Sequence, residues 1–424
     1  MLPPVLETYV VWHPDDAEGA CIADGLLSHF NESFFDNLLG GAVSAYPRSA
    51  PWRHMADAPR PIPFPGSPLP EGLAPAEFTA VVLVLGFELE AAVESGRGPW
   101  WEFLCGILKA RESNPRHVLV LPTAADGRVM FGTQLARMFG RFQAIGMVKP
   151  RDEGQAEAPD EARRRDLTQT AAQFVGGDAA APVRIFLSHT YQGYAEQPEI
   201  DQLVDCVRLV LRRTRLDEFF DANSLQAGGD WRSDIREAAA SAALLGLRTD
   251  RFPQSRWCQE EVADAKGSGM SVVFLDALLH GEERGSFLLD HVPRLPVRRD
   301  GDGVWRMADV RRAVNMLVDE HLKRVVWNRQ KELALDSYDV RDGGTWWAPH
   351  APEYVTFVAW RAAEIAAGRG KSLQTVRIIH PDPPLGPREK RELGQAAVLM
   401  GIPGGLDITT AKHLAARGAE EMYL

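Results

Sequence analysis

Short apolar runs that alternate with helix-periodic stretches predict an α/β protein built on parallel sheets, with helices on both faces. Three observations carry the prediction. Apolar runs at residues 78–85, 183–187, 242–247 and 271–275 read as buried strands, and 183–187 stops at the polar Ser188-His189-Thr190. Between two of them Ile200, Leu203, Val204, Val207, Val210 and Leu211 recur at three- and four-residue spacing, one apolar stripe facing a sheet. The chain has 424 residues, 45% apolar and 25% charged, which is ample for a core and too long for one typical domain. In such sheets ligands bind beyond the carboxyl ends of the strands, so residues that close a strand are candidates for chemistry.

Residues 1–150 form the first expected domain. Tyr9-Val10-Val11 is a strand running into the polar loop Trp12-His13-Pro14-Asp15-Asp16, and a helix follows over 18–29. Next comes Ser33-Phe34-Phe35-Asp36. The proline-rich stretch 47–75 reads as an irregular surface excursion. Strand 78–85, helix 100–111 and strand 117–121 complete the segment. Residues 151–182 are polar around a short helix, with Arg163-Arg164-Arg165 as a solvated face between acids; the closing Gly176-Gly177-Asp178-Ala179-Ala180-Ala181-Pro182 is a hinge by composition.

In the expected domain 183–325, Glu218-Phe219-Phe220-Asp221 is a short strand ending in a carboxylate. The loop from Ser224 to Trp231 leads into a helix over 232–240 with Asp230 as its N-cap. Strand 242–247 follows, Trp257-Cys258-Gln259-Glu260-Glu261 opens a helix, and 271–275 is the strand after it. Val310, Val314, Leu317 and Leu322 mark a helix that closes the domain. Residues 326–424 read as a small α/β appendage: strand 375–379, the loop His380 to Gly386, helix 388–400, a short strand at 406–408 and a helix over 410–417. Residues 304–366 hold five tryptophans, Trp305, Trp327, Trp346, Trp347 and Trp360, which read as packing residues.

Four motifs, in order over about a fifth of the chain, carry a family resemblance. Phe186-Leu187-Ser188-His189 resembles the first-strand signature of the TIR (Toll/interleukin-1 receptor) domain family. Phe219-Phe220-Asp221, with Leu225 and Gly228-Gly229-Asp230-Trp231, is similar to its second strand and BB loop. Ser255-x-Trp257-Cys258-x-x-Glu261 resembles the motif whose glutamate is catalytic in NAD-cleaving members. The resemblance implies a flavodoxin-like sheet and a catalytic Glu261. It also implies an assembly loop containing Leu225, Gly228, Gly229 and Trp231, which contacts a neighbouring TIR domain and completes the site between subunits. Residues 1–150 then read as a second, diverged TIR-like unit: with Trp101 aligned to Trp257, Cys105 stands where Glu261 would be, so this copy would be inactive and serve assembly or ligand sensing. The alternative is two unrelated α/β domains that share Phe-Phe-Asp by chance.

The chemistry fits a single acid. Nicotinamide leaves NAD+ neutral, so no second carboxyl group is needed to protonate a departing oxygen, and one carboxylate can stabilise an oxocarbenium-like ribose. Phe186 and Trp257 would line the pocket, Ser188 and His189 would hydrogen-bond ribose or pyrophosphate, and Asp221 would hold a loop or a sugar hydroxyl. Each has a plainer alternative: Glu261 as a solvated helix glutamate beside Glu260, Trp257 as a core anchor, Asp221 as a loop brace, Cys258 as a small buried residue.

The expected function is thus an assembly-gated NAD+ hydrolase or cyclase of the immune, antiphage type, with NAD+ as substrate, no cofactor and no metal. A nucleotide or protein would act as trigger. A non-catalytic scaffold that recruits a partner through both units is the rival. A third reading is a nucleic-acid or Argonaute-type partner surface, which the net charge of −11 disfavours, as it does an anionic membrane. Cys21, Cys105, Cys206 and Cys258 show no paired spacing and fit a reduced cytoplasm; the N-terminus lacks the basic start and apolar core of a secretory signal, and no apolar run reaches spanning length.

Overall fold

The computed structural model describes residues 3–31, 43–52, 58–66, 75–124, 133–146, 157–177, 183–190, 197–214, 216–220, 242–281, 285–337, 344–369, 373–411 and 413. They divide into two compact units, Leu2–Ala181 and Pro182–Leu424.

In the first unit, β1 (Leu6–Val11), β2 (Ser44–Arg48), β3 (Phe78–Leu85) and β4 (Val118–Ala124) form a parallel sheet in the order β2-β1-β3-β4. Central β3 is a continuous apolar run because both of its faces are covered. Helix Pro99–Ser113 puts Trp100, Leu104 and Ile107 against Tyr9, Val81, Leu83 and Val120 on one face. On the other, Phe174 of helix Pro159–Val175 meets Phe78 edge-on at 5.6 Å, and His29 of helix Ala17–Asn31 reaches Thr168.

Three expectations change here. Phe34-Phe35-Asp36 lies outside the described residues, and the strand that pairs beside β1 is Ser44–Arg48, overlapping the stretch expected to be irregular. It is an edge strand, so Pro47 removes no ladder hydrogen bond that an inner strand would need, and Tyr46 stacks on Tyr9 at 5.4 Å. The expected linker contains a 17-residue helix, Pro159–Val175, with most of its residues buried in the first unit. Arg163 and Arg165 are accordingly not a solvated face: they are buried on Asp160, Glu157 and Asp166.

The second unit carries β5 (Arg184–Ser188), β6 (Asp217–Phe220), β7 (Ala242–Arg248), β8 (Ser271–Asp276) and β9 (Arg294–Pro296), all parallel, in the order β6-β5-β7-β8-β9. Strand alternation splits β5 between two cores. Ile185 and Leu187 pack with helices Gln197–Arg212 and Met307–Ser337, whereas Phe186 packs with helix Arg256–Ser268. Gly246 of β7 is required by close approach: a Cβ there would stand 2.2 Å from the Phe274 ring. Helix Arg256–Ser268 ends in a Schellman turn, with Gly269 at φ +77 and its N–H on Lys266.

Within the same unit β10 (Thr345–Trp347), β11 (Val376–His380) and β12 (Leu406–Thr410) make a three-stranded parallel sheet, crossed by helices Tyr354–Ala366 and Pro387–Leu399. The boundary expected at 325/326 falls inside the 31-residue helix Met307–Ser337. That helix continues because Trp327 is buried beyond the boundary and donates to the Ala348 carbonyl at 2.9 Å. Trp346 stacks on Trp360 at 5.0 Å, and Trp305 donates to the Glu199 carbonyl, so these tryptophans pack. Lys266 is buried and ion-paired with Glu353, which fastens the small sheet's segment to helix Arg256–Ser268. Among the described residues no helix is long and apolar enough to cross a membrane.

Candidate active site

In the second unit the chain leaves β5 toward β6 on one side and returns to β7 on the other, so the strand order reverses between β5 and β7. Loops diverge at such a point and leave a crevice beyond the strand ends. Ser188 closes β5 there, opposite Gly246 in the ladder. Beyond both strands Thr190 and Thr249 join hydroxyl to hydroxyl at 3.0 Å and hold the two loops together.

The acid comes from the helix after β7. Phe252–Gln254 makes a 3-10 turn, and the Ser255 side chain then accepts from the Cys258 N–H at 3.3 Å, an N-cap that starts helix Arg256–Ser268. Adjacent positions on a helix point about 100° apart, so Glu260 and Glu261 meet different surroundings. Glu260 pairs with Arg256 at the surface. Glu261, 3% exposed, turns inward on the side of Cys258, Val262 and Phe186.

There the Ser188 hydroxyl donates to Glu261 Oε2 at 2.5 Å, within the range of charge-assisted O–H···O⁻ bonds. Burial pushes the Glu261 carboxyl up and hydrogen bonds from the Ser188 and Trp257 side chains draw it part of the way back, which leaves it at about 7 against an ordinary 4.5. Near neutral pH the acid therefore exists in both forms. Cys258, fully buried beside it, is pushed up to about 12 by burial and then by the Glu261 charge, so it stays a neutral thiol.

The structure thus brings Phe186, Ser188, Trp257 and Glu261 together, with Trp257 42% exposed at the rim and Phe186 buried beneath. His189 is half-buried, its Nδ1 lying 3.3 Å from the Thr190 carbonyl oxygen. Asp221, Leu225, Gly228, Gly229 and Trp231, with the helix expected over 232–240, lie outside the described residues. Sequence reasoning missed the Thr190–Thr249 bridge, although each threonine lies within two residues of a strand end, and missed Asp250, whose carboxylate accepts from the N–H groups of Leu279, His280 and Gly281. Glu199, Thr249, Asp250, Arg251 and Trp305 line a small cleft at this same strand edge. Among the described residues no group of three or more His, Cys, Asp or Glu side chains could hold a metal ion.

No protein-family model matches the chain, and a search of curated proteins finds no match.

Proposed function

We propose that the second unit is a TIR-type, flavodoxin-like domain that cleaves the bond between nicotinamide and ribose in NAD+, with Glu261 as the catalytic group. The observation that carries the reading is the buried Ser188–Glu261 hydrogen bond at the reversal of strand order. A carboxylate in dry surroundings stabilises developing positive charge far better than one in water. Ionised Glu261 would sit beside the ribose as it gains oxocarbenium character, while neutral nicotinamide departs without a proton. Water attack then gives ADP-ribose, and attack by a nucleophile within the same molecule gives a cyclic isomer. Ser188 holds the acid in place and favours its ionised form, and Trp257 offers an aromatic face at the rim.

Self-association through Leu225, Gly228, Gly229 and Trp231 would complete the site, and loss of cellular NAD+ or release of a nucleotide signal in the cytoplasm would be the immune output. The test is NAD+ consumption by the purified chain and by Glu261→Gln over a range of protein concentrations. Loss of NAD+ in the parent alone, rising faster than linearly with concentration, supports the reading. Intact NAD+ in the assembled parent removes it.

A scaffold reading also has an observation in its favour. Glu261 is almost wholly enclosed, as a brace between β5 and its neighbouring helix would be. Such a brace gains nothing from ionisation, and equal NAD+ stability with both chains is its signature.

A further inference from the structure

Helix Met307–Ser337 covers one face of the β10-β11-β12 sheet, with the Trp327 ring 5.8 Å from that of Trp347. Helices Tyr354–Ala366 and Pro387–Leu399 cover the other, where Phe357, Leu393 and Ala397 pack with Val376, Ile378 and Ile408. The outer side of this two-helix layer meets solvent, and a helix so placed ordinarily carries charged and polar residues there.

Helix Tyr354–Ala366 instead presents apolar side chains. Tyr354, Val358 and Ile365 stand 51%, 48% and 57% exposed, and their positions fall within about 40° of one another around the helix axis. Beside them Ala359, Ala362 and Ala363 are exposed. The helix has two charged side chains, and both are engaged: buried Arg361 donates to the Met400 carbonyl at 3.3 Å, and Glu364 accepts two bonds from Arg369. The Arg361 bond also joins the C-terminal ends of the two helices, which adds Val398 and Leu399, 51% and 88% exposed, at that end of the layer.

These side chains, with the alanines between them, offer on the order of 600 Å² of surface, the size of the largest patch on a typical monomer and most of the ~800 Å² that one partner of a stable interface contributes. The charge pattern selects the partner. An anionic membrane or an acidic protein would be met by a basic rim, but the arginines that flank the stripe, Arg361 and Arg369, are bonded within the chain. A basic partner would be met by acid, and the one acid of the helix is bound to Arg369. The chain as a whole carries a net charge of −11, so a second copy can approach closely only where neither copy presents acid. An antiparallel pair about a two-fold axis sets Tyr354 of each copy toward Ile365 of the other. The alanines then fall at the crossing, where small residues let helix axes come within about 8 Å.

We propose that this face joins two copies of the chain in an isologous dimer, through the crossing of helix Tyr354–Ala366 with its symmetry mate near Val358 and Ala362. The contact is separate from the association through Leu225, Gly228, Gly229 and Trp231 and does not rest on NAD+ cleavage.

Sedimentation velocity of the full-length chain over a range of concentrations tests it. The parent should sediment as a reversible dimer, and so should Trp231→Ala. Val358→Glu places two acids at the crossing and should raise the dissociation constant about 100-fold or more. Its melting temperature at a dilution where the parent is monomeric should be unchanged, because Val358 faces solvent in the single chain. Mixing the Val358→Glu chain with a Val358→Lys chain should restore the dimer, which a misfolded variant would not do. A parent that stays monomeric, or a dimer indifferent to Val358→Glu, overturns the inference. So does a dimer lost in Trp231→Ala, which assigns association to the other contact, and so does a monomer that binds vesicles of phosphatidylcholine and phosphatidylglycerol through this face. Because activity is not read, none of these outcomes bears on NAD+ cleavage.

Discussion

Two sheets of this chain share the order of four strands, to which the second adds β9 at its edge, and both hold a buried carboxylate at the reversal point, yet they supply it from opposite sides. In the second unit the acid is Glu261, from the helix after β7, and it is answered across the crevice by Ser188 at the end of β5. In the first, the acid is Asp16, from the loop after β1, and what faces it after β3 is Gly86, which has no side chain with which to answer. One carboxylate is held by a hydroxyl and pushed toward neutral pH; the other is fixed by its first oxygen, which accepts from the Gly19 N–H, and left unsatisfied at its second. The same order of four strands thus precedes both acids, and the element that contributes the acid decides whether a side chain from the facing strand end answers it.

The largest expected effect separates the two acids by activity. Glu261→Gln should lower the rate of NAD+ cleavage by about 100-fold or more, whereas Asp16→Asn should leave it unchanged; a similar loss from both would mean that one fold-wide perturbation had been mistaken for chemistry. Smaller is the effect of Ser188→Ala, about tenfold on kcat/KM. Removing the hydroxyl also removes a bond to the ionised acid, so the midpoint of the pH profile should move further upward, a shift that simple loss of folding would not produce.

Stability offers a third comparison. The folded pKa of Glu261 lies above its unfolded value, so the folded chain binds a proton more tightly. The resulting stability is present below about pH 4.5 and lost as pH rises through about 7. Glu261→Gln should therefore stabilise the chain at pH 8 by about 3 kcal/mol and do little near pH 4.5, as read by denaturant melts. A destabilised variant at pH 8 would show that the ionised pair with Ser188 outweighs its desolvation. The smallest effect concerns thiols: Cys21 of the first unit is exposed and should react with a thiol reagent in the native chain, while Cys258, buried and pushed up to about 12, should react only on unfolding.

Much of this architecture was legible because its inner strands are apolar runs. Residues 78–85 form β3 to the residue, and β7 and β8 extend the expected runs by a residue. Strand β2 was hidden because an edge strand that reads Ser-Ala-Tyr-Pro-Arg lacks that signal. The length and burial of helix Pro159–Val175 were hidden for a related reason: its buried face includes Thr168, Gln169 and two arginines, Arg163 and Arg165, whose charges are met by Asp160, Glu157 and Asp166. Strand alternation puts Phe186 and Ser188 on one face, and about 100° of helix separates Glu261 from Glu260, but only the β5–β7 pairing brings Ser188 to Glu261 at 2.5 Å. No pattern local to either loop marks Asp16, because its isolation depends on Gly86, brought beside it by the pairing of β1 with β3.

The central claim is that a buried, ionised Glu261 cleaves NAD+, and the pH profile of cleavage by the assembled chain tests it most directly. The rate should fall about tenfold per unit as pH drops below about 7 and level off above it, with Ser188→Ala shifting the break upward. A profile that stays flat through pH 7, or an identical one from Glu261→Gln, would contradict the assignment.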